Sequence, residues 1–273
     1  MDVSLFSQSL FALPLDEAIA AAAKAGFPAI ELACTAPHFD LDTAQGDADA
    51  VAERIQQAGL GVAALSLFST FTDDERVEQE IESAETFIRL APLFHTSLVK
   101  LTPGPPASAD ARAGHWAWLA HAIDALAATA AEVEVRLAFE THMRQLTDTL
   151  EGARLLLEVA ESDTVGLTVD FSNLAFAGGD LPACLEALKD RAYHVHVKNG
   201  FIDDAGEWRF GALDEGLTDY ADVLPRLRDT GYDGYLSIEC LGPDAAERPV
   251  ETARRDLAIL KRLLADAGWA TGK

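Results

Sequence analysis

The sequence predicts an α/β protein folded as a single closed (β/α)8 TIM barrel, with a metal site at the C-terminal ends of strands five to eight. Three observations predict it. Short runs rich in Val, Ile, Leu and Phe alternate eight times with longer Ala- and Leu-rich stretches that carry charge. Shared among eight units, the 273 residues give about 34 per unit, the size expected of such a barrel. The apolar runs end in ionisable residues, at the end of the strand where this architecture places its chemistry. An open doubly wound sheet competes, but it usually has fewer strands and a glycine-rich first turn. Here the first strand runs into SQSLFALP, with no G-x-G-x-x-G.

The elements follow in order. Strands are predicted over 3–9, 29–33, 62–68, 98–102, 135–141, 166–171, 192–198 and 235–240. Helices are predicted near 15–25, 47–58, 74–91, 112–131, 148–160, 180–190, 218–230 and 245–266. The stretch DTLEGARLLLEVA puts Leu150, Ala153, Leu157 and Ala160 on one helical face, behind a cap at Thr147 or Asp148. VRLAFETH is a nearly continuous apolar run ending in polar groups, as a parallel strand buried on both faces reads. TPGPPAS is a short loop after the fourth strand. Residues 200–216 form the longest irregular stretch, a lid or rim on the active-site face rather than a domain boundary. The domain is assigned as 1–273.

Composition narrows the function. Hydrophobic residues at 49% supply a full core and exclude disorder. The formal charge of −24, from 21 basic and 45 acidic residues, argues against nucleic acid and against an anionic membrane surface. Three cysteines with no C-x-x-C argue against a disulfide framework or a zinc knuckle and point to a reducing, cytoplasmic setting. No basic region precedes the first apolar stretch, and no apolar run is long enough to cross a bilayer.

Four consecutive strand ends carry the chemistry: Glu140 with His142; Asp170 with Asn173; His194, His196 and Lys198; and Glu239. Consecutive barrel strands are neighbours, so these groups converge. Three carboxylates in one cavity repel unless a cation neutralises them, and a divalent ion is the simplest choice. Three carboxylates with one imidazole suit Mn2+, Mg2+ or Co2+, with Zn2+ also acceptable. Taken singly, each residue also has an ordinary reading: a solvated carboxylate at a strand end, or a hydrogen-bonded core histidine. His194 shares a strand face with His196 but lies one layer deeper, and is read as supporting.

The segments FETH, VDFSN, HVHVKN and YLSIEC resemble the metal-binding strand ends of the xylose isomerase-like (β/α)8 superfamily. That group includes sugar phosphate isomerases and epimerases, inosose-processing enzymes, 3-dehydroshikimate dehydratase and the family 2 apurinic endonucleases. The segments IEL, TPG and GYDGYLSIE support the resemblance, which covers almost the whole chain. It implies Glu140, Asp170, His196 and Glu239 as ligands of one divalent ion, no organic cofactor, and Glu140 and Glu239 as a catalytic acid/base pair. The implied reaction is isomerisation or epimerisation of a small keto-sugar, inosose or sugar acid through an enediolate. A lyase, dehydratase or decarboxylase, using the same site is the alternative. An apurinic endonuclease and a non-catalytic sugar-binding barrel stand behind it.

Two departures matter. Asn173 stands where ketose epimerases and the endonucleases usually have His, and Asn199 where the family usually has Asp. Of the seven histidines, His38, His95, His115 and His121 fall in loops or helices, which leaves too few ligands for a three-metal nuclease site. Candidate substrate contacts are His142, Asn173, Lys198, Glu31, Trp208 and Arg209. Lys198 pairs either with a substrate anion or with a neighbouring carboxylate. Glu31, read as ending the second strand, faces the pocket or forms a core ion pair. Trp208 covers a sugar face or packs on the rim, and Phe68 and Phe71 share that ambiguity. The expected partner is a small sugar-like molecule, and the family leaves room for a homo-oligomer.

Overall fold

The computed structural model describes residues 1–269; the last four residues of the assigned 1–273 domain lie outside them. Eight parallel strands close a barrel: β1 (Asp2–Phe6), β2 (Ala29–Ala33), β3 (Gly61–Ser66), β4 (Leu98–Leu101), β5 (Arg136–Glu140), β6 (Val165–Asp170), β7 (Ala192–Val197) and, after a small hairpin, β10 (Tyr235–Ile238). Each strand pairs with its sequence neighbour in the barrel, and β10 closes on β1. The register sets the site: Asp170 lies opposite His196, and His196 opposite Ser237, two residues before Glu239.

The long helices lay apolar faces on the barrel wall. They are α1 (Leu15–Ala25), α2 (Leu41–Gln57), α3 (Val77–Leu90), α4 (Ala113–Glu132), α5 (Leu150–Val159), α7 (Leu181–Leu188), α8 (Tyr220–Asp229) and α10 (Pro249–Asp266). Two short α-helices, α6 (Phe171–Phe176) and α9 (Pro243–Glu247), accompany them among the described residues. The α1 helix buries Leu15, Ala18, Ile19, Ala21 and Ala22 and stops at Gly26, whose φ of 93° is open to glycine. No described helix is long and apolar enough to cross a membrane. All three cysteines are free.

Several expectations are corrected. The first strand ends at Phe6, not at residue 9, because the serines of Ser7–Leu10 turn to bind backbone: Ser7 Oγ accepts from Ala33 N, and Ser9 Oγ from Cys240 N. The second helix starts at Leu41 rather than near 47. Asp40 caps it by accepting from Thr43 N at 2.9 Å, and the non-helical Asp47 beside Gly46 hides the first turn from a periodicity reading. A helical turn, α6, follows β6 directly and was not expected. The 200–216 stretch is not wholly irregular. It holds an antiparallel hairpin, β8 (Gly200–Ile202) and β9 (Trp208–Phe210). Asp203 shapes its turn, accepting from Ala205 N and Glu207 N and pairing with Arg209 at 2.8 Å. Gly200 is required there, because a Cβ would strike the Arg209 carbonyl.

Candidate metal centre

The strand ends bring Glu140, Asp170, His196 and Glu239 together, each offering one ligand atom, with these atoms all within 4.8 Å of one another. All four are buried, Glu239 being the most exposed at 7%. Glu140 is the last residue of β5. Asp170 ends β6 and caps α6, accepting from Asn173 N through Oδ1 at 2.9 Å, so Oδ2 remains for another partner. His196 Nδ1 lies 3.5 Å from Glu140 Oε1 and 3.9 Å from Glu239 Oε2.

Two lysines stand among the carboxylates. Lys100 Nζ lies 2.5 Å from Glu140 Oε2, and Lys198 Nζ donates to Glu239 Oε2 at 2.6 Å. Lys198 Nζ is also 3.0 Å from Asp170 Oδ2, out of line for a hydrogen bond. Lys100 was missed by the sequence reading. Its signal was the same as that of the others, a charge inside the apolar run LVKL, but no second polar residue marked the strand.

The remaining candidates divide. Asn173 is buried and donates to Thr141 O at 2.9 Å and to Glu140 Oε1 at 3.3 Å. His142 is half-buried, with Nδ1 bound to its neighbour's carbonyl, Met143 O, at 2.9 Å. Glu31 sits two residues short of the end of β2, fully buried. It accepts from His194 Nε2 at 2.9 Å and from His196 Nε2 at 2.9 and 3.0 Å, so it faces imidazoles below the cluster. Arg209 is exposed and paired with Asp203, outside the cluster. Trp208 is half-buried between Phe176 and the Arg144 guanidinium, which lies 4.2 Å from its ring centroid. Its neighbour Phe210 covers Lys198, 5.9 Å from the ammonium. Phe71 is core, against Phe139, while Phe68 stacks on Phe6 and lies 5.2 Å from Lys100 Nζ. Phe6 in turn packs on the His196 ring. His38, His115 and His121 are bound elsewhere, to Ser7, Arg112 and Glu78.

The electrostatics are those of a crowded, dry site. Burial pushes the Glu140 carboxyl up, but Lys100, His142 and His196 outweigh it and hold it well below the usual range. Asp170 is raised, by burial first and by Glu140 and Glu239 next, against the pull of Lys198. Burial disfavours charge on His196, yet Glu31 and Glu140 raise it to about 10. Glu31 stays ionised, well below its usual value, because both histidines overcome its burial.

The residues present fit a divalent cation. Asp170 Oδ2 and His196 Nδ1 are buried with no hydrogen-bond partner, both within the four-donor group. Four carboxylates, counting Glu31, against two ammonium groups leave a formal charge of −2. One divalent ion brings that to zero with both imidazoles neutral.

The model of the xylose isomerase-like TIM barrel family matches residues 19–263. The chain belongs to that family. Among curated proteins it is 30% identical over 172 residues to the rhizopine catabolism protein MocC of Rhizobium meliloti, covering 58% of this chain and 53% of that one. It is 26% identical over 160 residues to the inosose dehydratase of Clostridium perfringens, covering 54% of each. The chain thus spans about half the length of these curated relatives. Among solved structures, the IOLI protein with a bound zinc atom superposes with a TM-score of 0.80 at 18% identity, over 98% of this chain and 99% of that one.

Proposed function

We propose that this family member is a divalent-metal-dependent lyase that removes water from a small polyhydroxylated ketone or keto acid. Glu140, Asp170, His196 and Glu239 would hold the ion. Bound there, it would supply Lewis acidity that polarises a carbonyl and steadies the enediolate left by loss of the adjacent proton. The observation that carries elimination is the Glu239–Lys198 pair, a base and an acid 2.6 Å apart at the cluster. Glu239 takes the proton beside the carbonyl. The β-hydroxyl leaves with a proton from Lys198, so the substrate loses one water. Once Glu239 is protonated it no longer holds the ammonium charge in place, and Lys198 becomes a better acid. The Glu239 carboxylic acid then returns its proton to the Lys198 amine, and the pair is reset. Glu140, kept ionised by Lys100 and oriented by Asn173, accepts from a substrate hydroxyl. The name of one curated relative, inosose dehydratase, supports this outcome.

Epimerisation shares the first step and is supported by the second carboxylate, Glu140, in the same cluster. It needs the two glutamates on opposite faces of the carbon, one as the base that takes the proton and the other, protonated, as the acid that returns one. A metal-replete screen over inososes, keto-sugars and keto acids with product mass detection separates the two. Loss of water is expected. A product that loses no water and, in deuterated solvent, carries one deuterium in place of a hydrogen overturns elimination in favour of epimerisation. The net charge of −24 supports a small-molecule substrate rather than nucleic acid.

A further inference from the structure

We infer that Glu31 is a positioning residue that fixes the tautomer of His196, and with it the nitrogen His196 offers to the metal. The inference rests on the metal reading of the four-donor cluster. One fully buried carboxylate receives two imidazoles: Oε1 takes His196 Nε2, and Oε2 takes both His196 Nε2 and His194 Nε2. An ionised carboxylate only accepts hydrogen bonds, so both Nε2 atoms must carry protons. A neutral His196 with its proton on Nε2 has its lone pair on Nδ1. That atom is the one near Glu140 and Glu239, and it has no hydrogen-bond partner of its own. Glu31 therefore sits on the far side of the ring and aims the ligand atom from below. The charge also makes the imidazole a stronger donor to a cation, as carboxylates behind metal-bound histidines do.

His194 has a different place in this arrangement. It shares Oε2 with His196, its ring is 5.4 Å away, and its Nδ1 is buried without a partner. It gives Oε2 of Glu31 a second donor at 2.9 Å. An amide at position 31 can accept through one oxygen only. Its NH2 must then face an imidazole Nε2, which can receive it only by moving the ring proton to Nδ1. On His194 that shift keeps the His196 lone pair but still takes away the charge behind its ring; on His196 it removes the ligand lone pair, so either orientation weakens the hold on a metal.

The test uses Mn2+ and Zn2+ with the full chain. Titration with Mn2+, followed by the signal of the free ion, should show Glu31→Gln binding about tenfold to a hundredfold more weakly than the parent, the range for lost partners behind a ligand. His194→Gln, which leaves the Glu31–His196 bond in place, should bind Mn2+ nearly as the parent does. Equal Mn2+ affinity in a folded Glu31→Gln protein overturns the inference. Because that variant could fail to fold, the parent chain supplies a second readout. Nitrogen NMR of the Zn2+-loaded parent should place the single His196 proton on Nε2. A proton on Nδ1, or Zn2+ bound through Nε2, also overturns it. A parent chain that binds neither ion defeats the metal reading itself, which is a separate outcome.

Discussion

Lys100 and Glu140 form an ion pair with almost no solvent, the two side chains being 1% and 3% exposed. Removing one partner from such a pair strands a charge. Lys100→Met should therefore destabilise the protein by about 3–5 kcal/mol in urea melts, and adding Glu140→Gln to it should recover much of the loss. If Lys100→Met unfolds like the parent, water or another cation is holding Glu140. At this scale the site was partly legible in sequence. Glu140, Asp170, His196 and Glu239 stood out because ionisable groups end apolar runs, and the barrel brings them into one cluster. Lys100 carried the same mark without a polar neighbour to draw notice. Glu31 was noticed, but its tie to two histidines 163 and 165 residues away depends on barrel closure, which no local pattern encodes.

Strand and helix centres were legible because hydrophobic periodicity reports burial; their ends were not, because ends are decided by single side-chain bonds to backbone. Asp40 is one such case. Bonds from the Thr43 hydroxyl and amide hold its carboxyl below the ordinary value. Asp40→Ala should cost about 1 kcal/mol at neutral pH, a usual N-cap loss. With the folded value lowered, that contribution is present above the unfolded carboxyl's range and fades as pH falls through the folded one. The parent and variant should thus converge in acidic urea melts, and a gap that persists there would mean the loss is not electrostatic. The β8–β9 hairpin was hidden because its strands have three residues each. It reaches the barrel through Trp208 on Arg144 and Phe210 over Lys198. Trp208→Ala should speed hydrogen exchange in 200–210 and raise KM, with little change in Tm. A large fall in Tm would instead make the hairpin part of the core.

For the molecule as a whole, the closed ladder of eight strands is wrapped in continuous apolar packing and should hold its fold without an ion. Chelation should leave the circular dichroism spectrum unchanged. Returning a divalent ion at about 100 times its Kd should raise stability by about 2.7 kcal/mol, seen as a higher Tm. Collapse of the spectrum on chelation would make the ion structural. Lys100 and Lys198 give this expectation its basis, because they already balance half the charge of the buried carboxylates. Small metal-dependent domains fold only when their ion arrives. A barrel that keeps its fold under chelation would finish folding in a cell starved of the ion and wait as an intact, idle reserve. The supply of the ion, rather than fresh synthesis, would then set how quickly activity appears.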